Sequence, residues 1–149
     1  MYKKQEVTLP ETMSKLSNLE FNISAFLDYV GDEAERVSSW NKEDPEDIFM
    51  RNQIRQISSH LQSAIDAVQY LEKDITAEGE LYLNSGGRYE INEDVYFTSG
   101  SSCELLIYDD YYEFYSWIKT RIEHNGEDYY AVALGRDVPI KGLKARVRR

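Results

Sequence analysis

The hydrophobic period of this chain changes once, at Gly79, and that change decides what each part can become. Before Gly79, apolar residues recur every three or four positions; after it they alternate every second position. A period near 3.5 places one stripe of a helix on a partner, and a period of two places one face of a strand on a core. The expected class is therefore α+β. Residues 1–78 should form an antiparallel, coiled-coil-like helical hairpin, and residues 79–149 a small antiparallel β-barrel of SH3-like type.

The first helical pattern covers residues 9–37. Its stripe is Leu9, Met13, Leu16, Ile23, Leu27, Val30, Ala34 and Val37, interrupted at Glu20 with Leu19 beside it. Thr8 suits the N-cap and Pro10 the first turn. The second pattern begins at Asp44-Pro45, with Asp44 as cap and Pro45 at the first helical position. It runs through Met50, Ile54, Ile57, Leu61, Ala64, Val68, Leu71 and Ile75 to a stop at Gly79. Only residues 38–43 separate the two patterns, and short connections make antiparallel neighbours. Trp40 in that segment reads as a plug at the hairpin's end or as an exposed anchor, packing being the commoner fate of a large aromatic.

Beyond Gly79 the expected strands are 80–83, 88–91, 95–98, 104–108 and 143–148, with a long hairpin at 116–134. Asn84-Ser85-Gly86-Gly87 and Ser99-Gly100-Ser101-Ser102 supply turns, since glycine takes positive φ at little steric cost. Asn125-Gly126 is a strong two-residue hairpin signal. Such a turn puts Glu123 opposite Asp128, Arg121 opposite Tyr130 and Lys119 opposite Val132. Trp117, Lys119 and Arg121 then share a face with Tyr130, Val132 and Leu134. Ile118, Thr120 and Ile122 share the drier face with Tyr129, Ala131 and Ala133.

Composition narrows the setting. No apolar run approaches the length of a membrane span, and the first six residues lead into no apolar segment, so neither a transmembrane helix nor export is expected. Cys103 is the sole cysteine and cannot form an internal disulfide, which fits a reducing cytosol. The net charge of −10 divides into −7 on residues 1–78, −8 on 79–135 and +5 on 136–149. An acidic body repels nucleic acid and attracts basic protein surfaces. Nine of the twelve tyrosines fall between Tyr82 and Tyr130, and tyrosine suits both half-buried small folds and binding surfaces.

Several pieces of the second part occur in a recognisable order. Gly87-Arg88-Tyr89-Glu90 leads to Thr98-Ser99-Gly100-Ser101 and an apolar strand holding Glu104. Trp117-Ile118-Lys119-Thr120-Arg121-Ile122-Glu123-His124 runs into Tyr129-Tyr130-Ala131-Val132, and Gly142-Leu143-Lys144-Ala145-Arg146-Val147-Arg148 follows. Over about its last 65 residues the chain resembles a domain of unknown function found in small proteins of plasmids, phages and integrative elements of Gram-positive bacteria. The resemblance implies a mobile-element setting, in which small acidic proteins often inhibit host defence, anti-CRISPR proteins among them. It implies no catalytic residues. The segment Tyr108-Asp109-Asp110-Tyr111-Tyr112-Glu113-Phe114-Tyr115 lengthens one connection relative to that family.

No chemistry beyond binding is expected. His60, His124 and Cys103 have no metal-ligand spacing, and no nucleophile-elbow or phosphate-loop pattern occurs. The expectation is no enzyme, no metal and no cofactor. Ser85-Gly86-Gly87-Arg88 reads as a hairpin turn before it reads as an anion nest. The partner-binding candidates are Tyr108, Asp109, Asp110, Tyr111, Tyr112, Glu113 and Tyr115. Carboxylates there would meet Lys or Arg of a basic protein surface while the tyrosines give desolvated contact area. A nucleic-acid groove on a type II CRISPR effector nuclease is such a surface. The competing reading is an exposed tip whose tyrosines fold back on the barrel. An alternative nucleic-acid surface comprises Lys144, Arg146, Arg148 and Arg149. Three of these alternate along a strand and would also guard a sheet edge. A third reading is an assembly module that dimerises through the helical hairpin.

Overall fold

The computed structural model describes residues 6–149. Residues 1–5, which open the segment read as carrying no export signal, lie outside the described residues. The chain is α+β and divides into two compact units, Met1–Glu72 and Lys73–Arg149.

Helix α1 spans Leu9–Val30 and opens with a reciprocal cap. Thr8 Oγ1 accepts from the Glu11 amide, and Glu11 Oε2 accepts from the Thr8 amide, so two otherwise orphaned N–H groups are satisfied. The helix stops seven residues before Val37. Gly31 adopts φ +77 and donates its amide to Leu27 O, and a 3-10 turn at Asp32–Ala34 follows. Glu33 and Ala34 also take positive φ, and the Arg36 amide returns to Val30 O. A residue in the left-handed region ends an α-helix whatever its neighbours prefer. Ala34 is buried by this turn rather than by a helical stripe.

Helix α2 spans Pro45–Glu72. Asp44 Oδ1 accepts from the Glu46 amide, the capping role expected of it. Trp40 is half-buried, with the Arg51 guanidinium 4.7 Å from its ring centre, so it packs on α2. The two helices run antiparallel: Ser17 meets Glu72, Gln69 meets Glu20 and Arg55 meets Glu33. The facing seam of α1 is Met13, Leu16, Glu20, Ile23, Leu27 and Val30, so Glu20 lies in the stripe. On α2 the facing line includes Arg51, Ile54, Ser58, Leu61, Ile65 and Val68. Met50, Ile57 and Leu71, expected in that line, stand one residue off it and are half exposed. Ser58 can take the buried place because its hydroxyl donates to Ile54 O within the helix.

The second unit contains β1 (Ile75–Glu80), β2 (Tyr82–Leu83), β3 (Tyr89–Ile91), β4 (Val95–Tyr96), β5 (Ser102–Asp109), β6 (Phe114–His124), β7 (Tyr129–Ala131) and β8 (Lys144–Arg148). They form a five-stranded sheet in the order β1-β8-β5-β6-β7 and a three-stranded sheet β2-β3-β4. All pairings are antiparallel. Among the described residues no pairing joins β1 to β7, so the architecture is two sheets over one core rather than a demonstrated barrel. That core holds Leu81, Tyr89, Ile91, Phe97, Leu105, Ile122 and Ile140.

Three expectations change here. Ile75 and Gly79 belong to β1, not to the second helix. Gly79 sits against the core, where an added Cβ would lie 2.7 Å from Ile91 Cγ2. Strand β8 is flanked by β1 and β5, so Lys144, Arg146 and Arg148 do not guard an edge. The β6–β7 register is shifted by two from the expected one: Glu123 faces Tyr130 and Ile122 faces Ala131. The cause is Asn125, whose Oδ1 accepts from the amides of Glu127 and Asp128 and makes a four-residue turn. A shift of two preserves which side chains share a face. Thr120, Ile122 and Ala131 are accordingly buried together.

Candidate partner-binding site

The longest ladder of the protein is β5–β6, eight residue pairs from Ser102↔Arg121 to Asp109↔Phe114. The acidic, aromatic segment is the tip of this hairpin. Tyr108 and Tyr115 face one another across its last rungs, and only Asp110, Tyr111, Tyr112 and Glu113 form the turn.

Asp109 builds that turn. Its Oδ1 accepts from the amides of Tyr111 and Tyr112 at 2.9 and 3.0 Å, and its carbonyl accepts from the Glu113 amide at 2.8 Å. Glu113 closes the turn at φ +56. Asp109 therefore acts as a brace, which leaves Asp110 and Glu113 as the exposed carboxylates of the turn. The aromatic rings pack on each other. Tyr108 and Tyr115 lie 5.0 Å apart, Tyr111 meets Tyr112 edge-on at 4.8 Å, and Tyr112 stacks on Phe114 at 5.7 Å. These are favourable arrangements for ring quadrupoles. The side chains nonetheless stay in solvent, with exposures from 46% at Tyr108 to 85% at Tyr111. They do not fold back on the core.

The basic strand is used differently. Arg146 donates to Glu104 Oε1 through Nε and Nη2, and Arg148 donates to Glu104 Oε2 through Nε at 2.7 Å. Side-chain exposure is 8% for Glu104 and 16% for each arginine. Trp117 lies against the Arg146 guanidinium at 4.1 Å. Lys144 pairs with Glu78 at 2.9 Å. Arg149 is exposed, and its backbone amide donates to Asp74 O. Lys144, Arg146 and Arg148 thus cross-link β8 to its neighbours. Nothing local in the sequence announced that Glu104 would be the common acceptor of Arg146 and Arg148.

The remaining candidates have structural surroundings. Cys103 is buried in the core, and burial with the adjacent Glu104 charge pushes its thiol up to about 12. A thiol so protonated is a poor nucleophile near neutrality. His124 Nδ1 accepts from the Gly126 amide and its ring meets Tyr129 edge-on. His60 is exposed on α2. Among the described residues no group of three His, Cys, Asp or Glu side chains could hold a metal ion. The amides of Gly86 and Arg88 both donate to Asn84 Oδ1, so the glycine turn is closed by its own side chain rather than open to an anion. Asn84 and Tyr82 also donate to Glu90. The bond to Glu90 is the largest cause of a Tyr82 phenol raised to about 12, and bonds from Tyr82 and Asn84 lower the Glu90 carboxyl.

Fold and site together describe an α+β protein in which a helical unit precedes, in sequence, a two-sheet β unit whose β5–β6 hairpin carries an aromatic tip. Residues 79–147 of that chain match the family described as a domain of unknown function (DUF5348). The match runs from Gly79 in β1 to Val147 in β8 and contains the whole β5–β6 hairpin. No curated protein and no solved structure matches the chain. Among the described residues no helix is long and apolar enough to cross a membrane.

Proposed function

We propose that this is a non-catalytic binding protein of a mobile element that acts in the bacterial cytoplasm. It inhibits a host nucleic-acid-processing enzyme by setting the β5–β6 tip on that enzyme's basic surface. The observation that carries this reading is the braced tip, where five aromatic side chains pack on one another yet stay largely in solvent. Preordered rings lose little conformational freedom on docking and supply the kind of contact that dominates interface energies. Asp110 and Glu113 place carboxylates beside the rings, where Lys and Arg of a nucleic-acid channel would meet them. The −15 net charge of residues 1–135 draws such a surface in over a Debye length of about 8 Å. The basic strand supports direct nucleic-acid binding less, because Arg146 and Arg148 are committed to Glu104.

A type II CRISPR nuclease has the required basic groove and is the enzyme to test first. The protein is titrated into a cleavage reaction with guide RNA present, and binding is measured to the nuclease with and without guide. The wild-type chain should inhibit. Tyr111→Ala with Tyr112→Ala should weaken inhibition by at least about ten-fold, the scale of an interface hot spot. Asp110→Ala with Glu113→Gly should weaken it less and flatten its salt dependence, and Asp109→Asn, which retains the bracing oxygen, should leave it unchanged. Full potency in the tyrosine variant would remove the tip from consideration, and no inhibition by the wild-type chain would remove this enzyme.

A further inference from the structure

Helix α2 carries a second heptad seam that does not face α1. It consists of Met50, Gln53, Ile57, His60, Ala64, Ala67 and Leu71, spaced alternately by three and four residues. That is coiled-coil spacing sustained over roughly 32 Å of helix. Met50, Ile57 and Leu71 are half exposed, and His60, Ala64 and Ala67 are exposed. The seam contains no Asp, Glu, Lys or Arg, while Arg51, Arg55 and Asp66 lie elsewhere on the helix. Leu19 and Phe26 of α1 fall on the same side of the hairpin. They precede the inner-seam residues Glu20 and Leu27 by one position, just as Ile57 and Ala64 precede Ser58 and Ile65, and in antiparallel helices such positions share a flank.

We infer that this seam is an interface between two copies of the chain, with α2 packed antiparallel on α2 of the second copy about a twofold axis near His60. A twofold interface must be complementary to itself. This seam is: His60 lies at its middle, Met50 and Leu71 at its ends. Reversal sets the small Ala64 and Ala67 of one copy opposite the larger Gln53 and Ile57 of the other. Large-against-small layers let helices approach to about 8–10 Å. With no Asp, Glu, Lys or Arg in the seam, two copies meet along it without setting like charges against one another.

Sedimentation equilibrium of the full chain between about 1 and 100 μM tests this. The expected mass is twice the 17.4 kDa of one chain. Ile57→Glu with Ala64→Glu places four carboxylates in the interface and should weaken dimerisation by at least about 100-fold. Circular dichroism should show the helices intact, because both positions are exposed in the single chain. Gln62→Glu, on the other side of α2, should leave the dimer unchanged. His60→Cys should give an intermolecular disulfide under mild oxidation, since Cys103 is buried. A monomer at the highest concentration overturns the proposal. So does a dimer indifferent to the Glu pair, or an introduced thiol that does not cross-link.

Discussion

Both carboxylate oxygens of Glu104 accept from arginine, one from Arg146 and the other from Arg148. Removing that carboxylate leaves two guanidinium groups, each largely withdrawn from water, without their counter-charge. Glu104→Ala is therefore expected to lower unfolding stability by about 3 kcal/mol. Replacing Glu104, Arg146 and Arg148 together by Leu should cost much less, because no charge is then stranded. Urea denaturation of the two variants decides the point; equal losses would mean that the ion pairs contribute little. Residue identity alone suggested none of this. Alternating Lys144, Arg146 and Arg148 look the same in sequence whether they face phosphate, solvent or a carboxylate on a neighbouring strand. Asp109 is a similar case. Its composition reads as charge for a partner, and its geometry makes it the bond acceptor that holds the turn.

At the level of elements, close approach matters as much as periodicity. Strand β1 passes the core so tightly that Gly79 has no room for a methyl group. Gly79→Ala should cost about 1–3 kcal/mol, as overpacked core positions do. The change leaves the helical unit untouched, so the loss should appear in the β-unit amides of a hydrogen-exchange experiment; uniform loss across the chain would contradict it. Glycine after a helical pattern is an ordinary stop signal, which is why Gly79 reads as one from sequence. The true stop of α2 comes at Glu72, and Ile75 begins a strand because β8 offers it a ladder. In α2 the apolar residues make two heptad lines one residue apart, and periodicity cannot say which of them faces α1. In β7, an Asx turn at Asn125 moved the register by two while leaving the buried face as expected.

The whole molecule separates its two proposed roles. The hairpin tip lies in the β unit and the second helical seam in the helical unit. A fragment of residues 73–149, which holds a complete buried core, should fold by itself and remain monomeric at the concentrations where the full chain dimerises. If the tip is the inhibitory surface, the fragment should also retain inhibition. A dispersed amide spectrum with a monomeric mass is the expected outcome; an unfolded fragment would show that the β unit depends on the helices. Charge follows the same division only loosely. Both units are acidic before residue 136, and three of the six bases in residues 136–149, Lys144, Arg146 and Arg148, pair with Glu78 and Glu104.

By itself, the sequence determined the α+β class, the order of helical and β units, the caps at Thr8 and Asp44, and the faces of β6 and β7. Each of these follows from local chemistry or from a period that only one type of secondary structure satisfies. Tertiary structure decided which line of α2 faces α1, where β1 begins, that β8 is an interior strand, and that Glu104 collects two arginines. Those outcomes depend on contacts between segments tens of residues apart, whose energies no local pattern records.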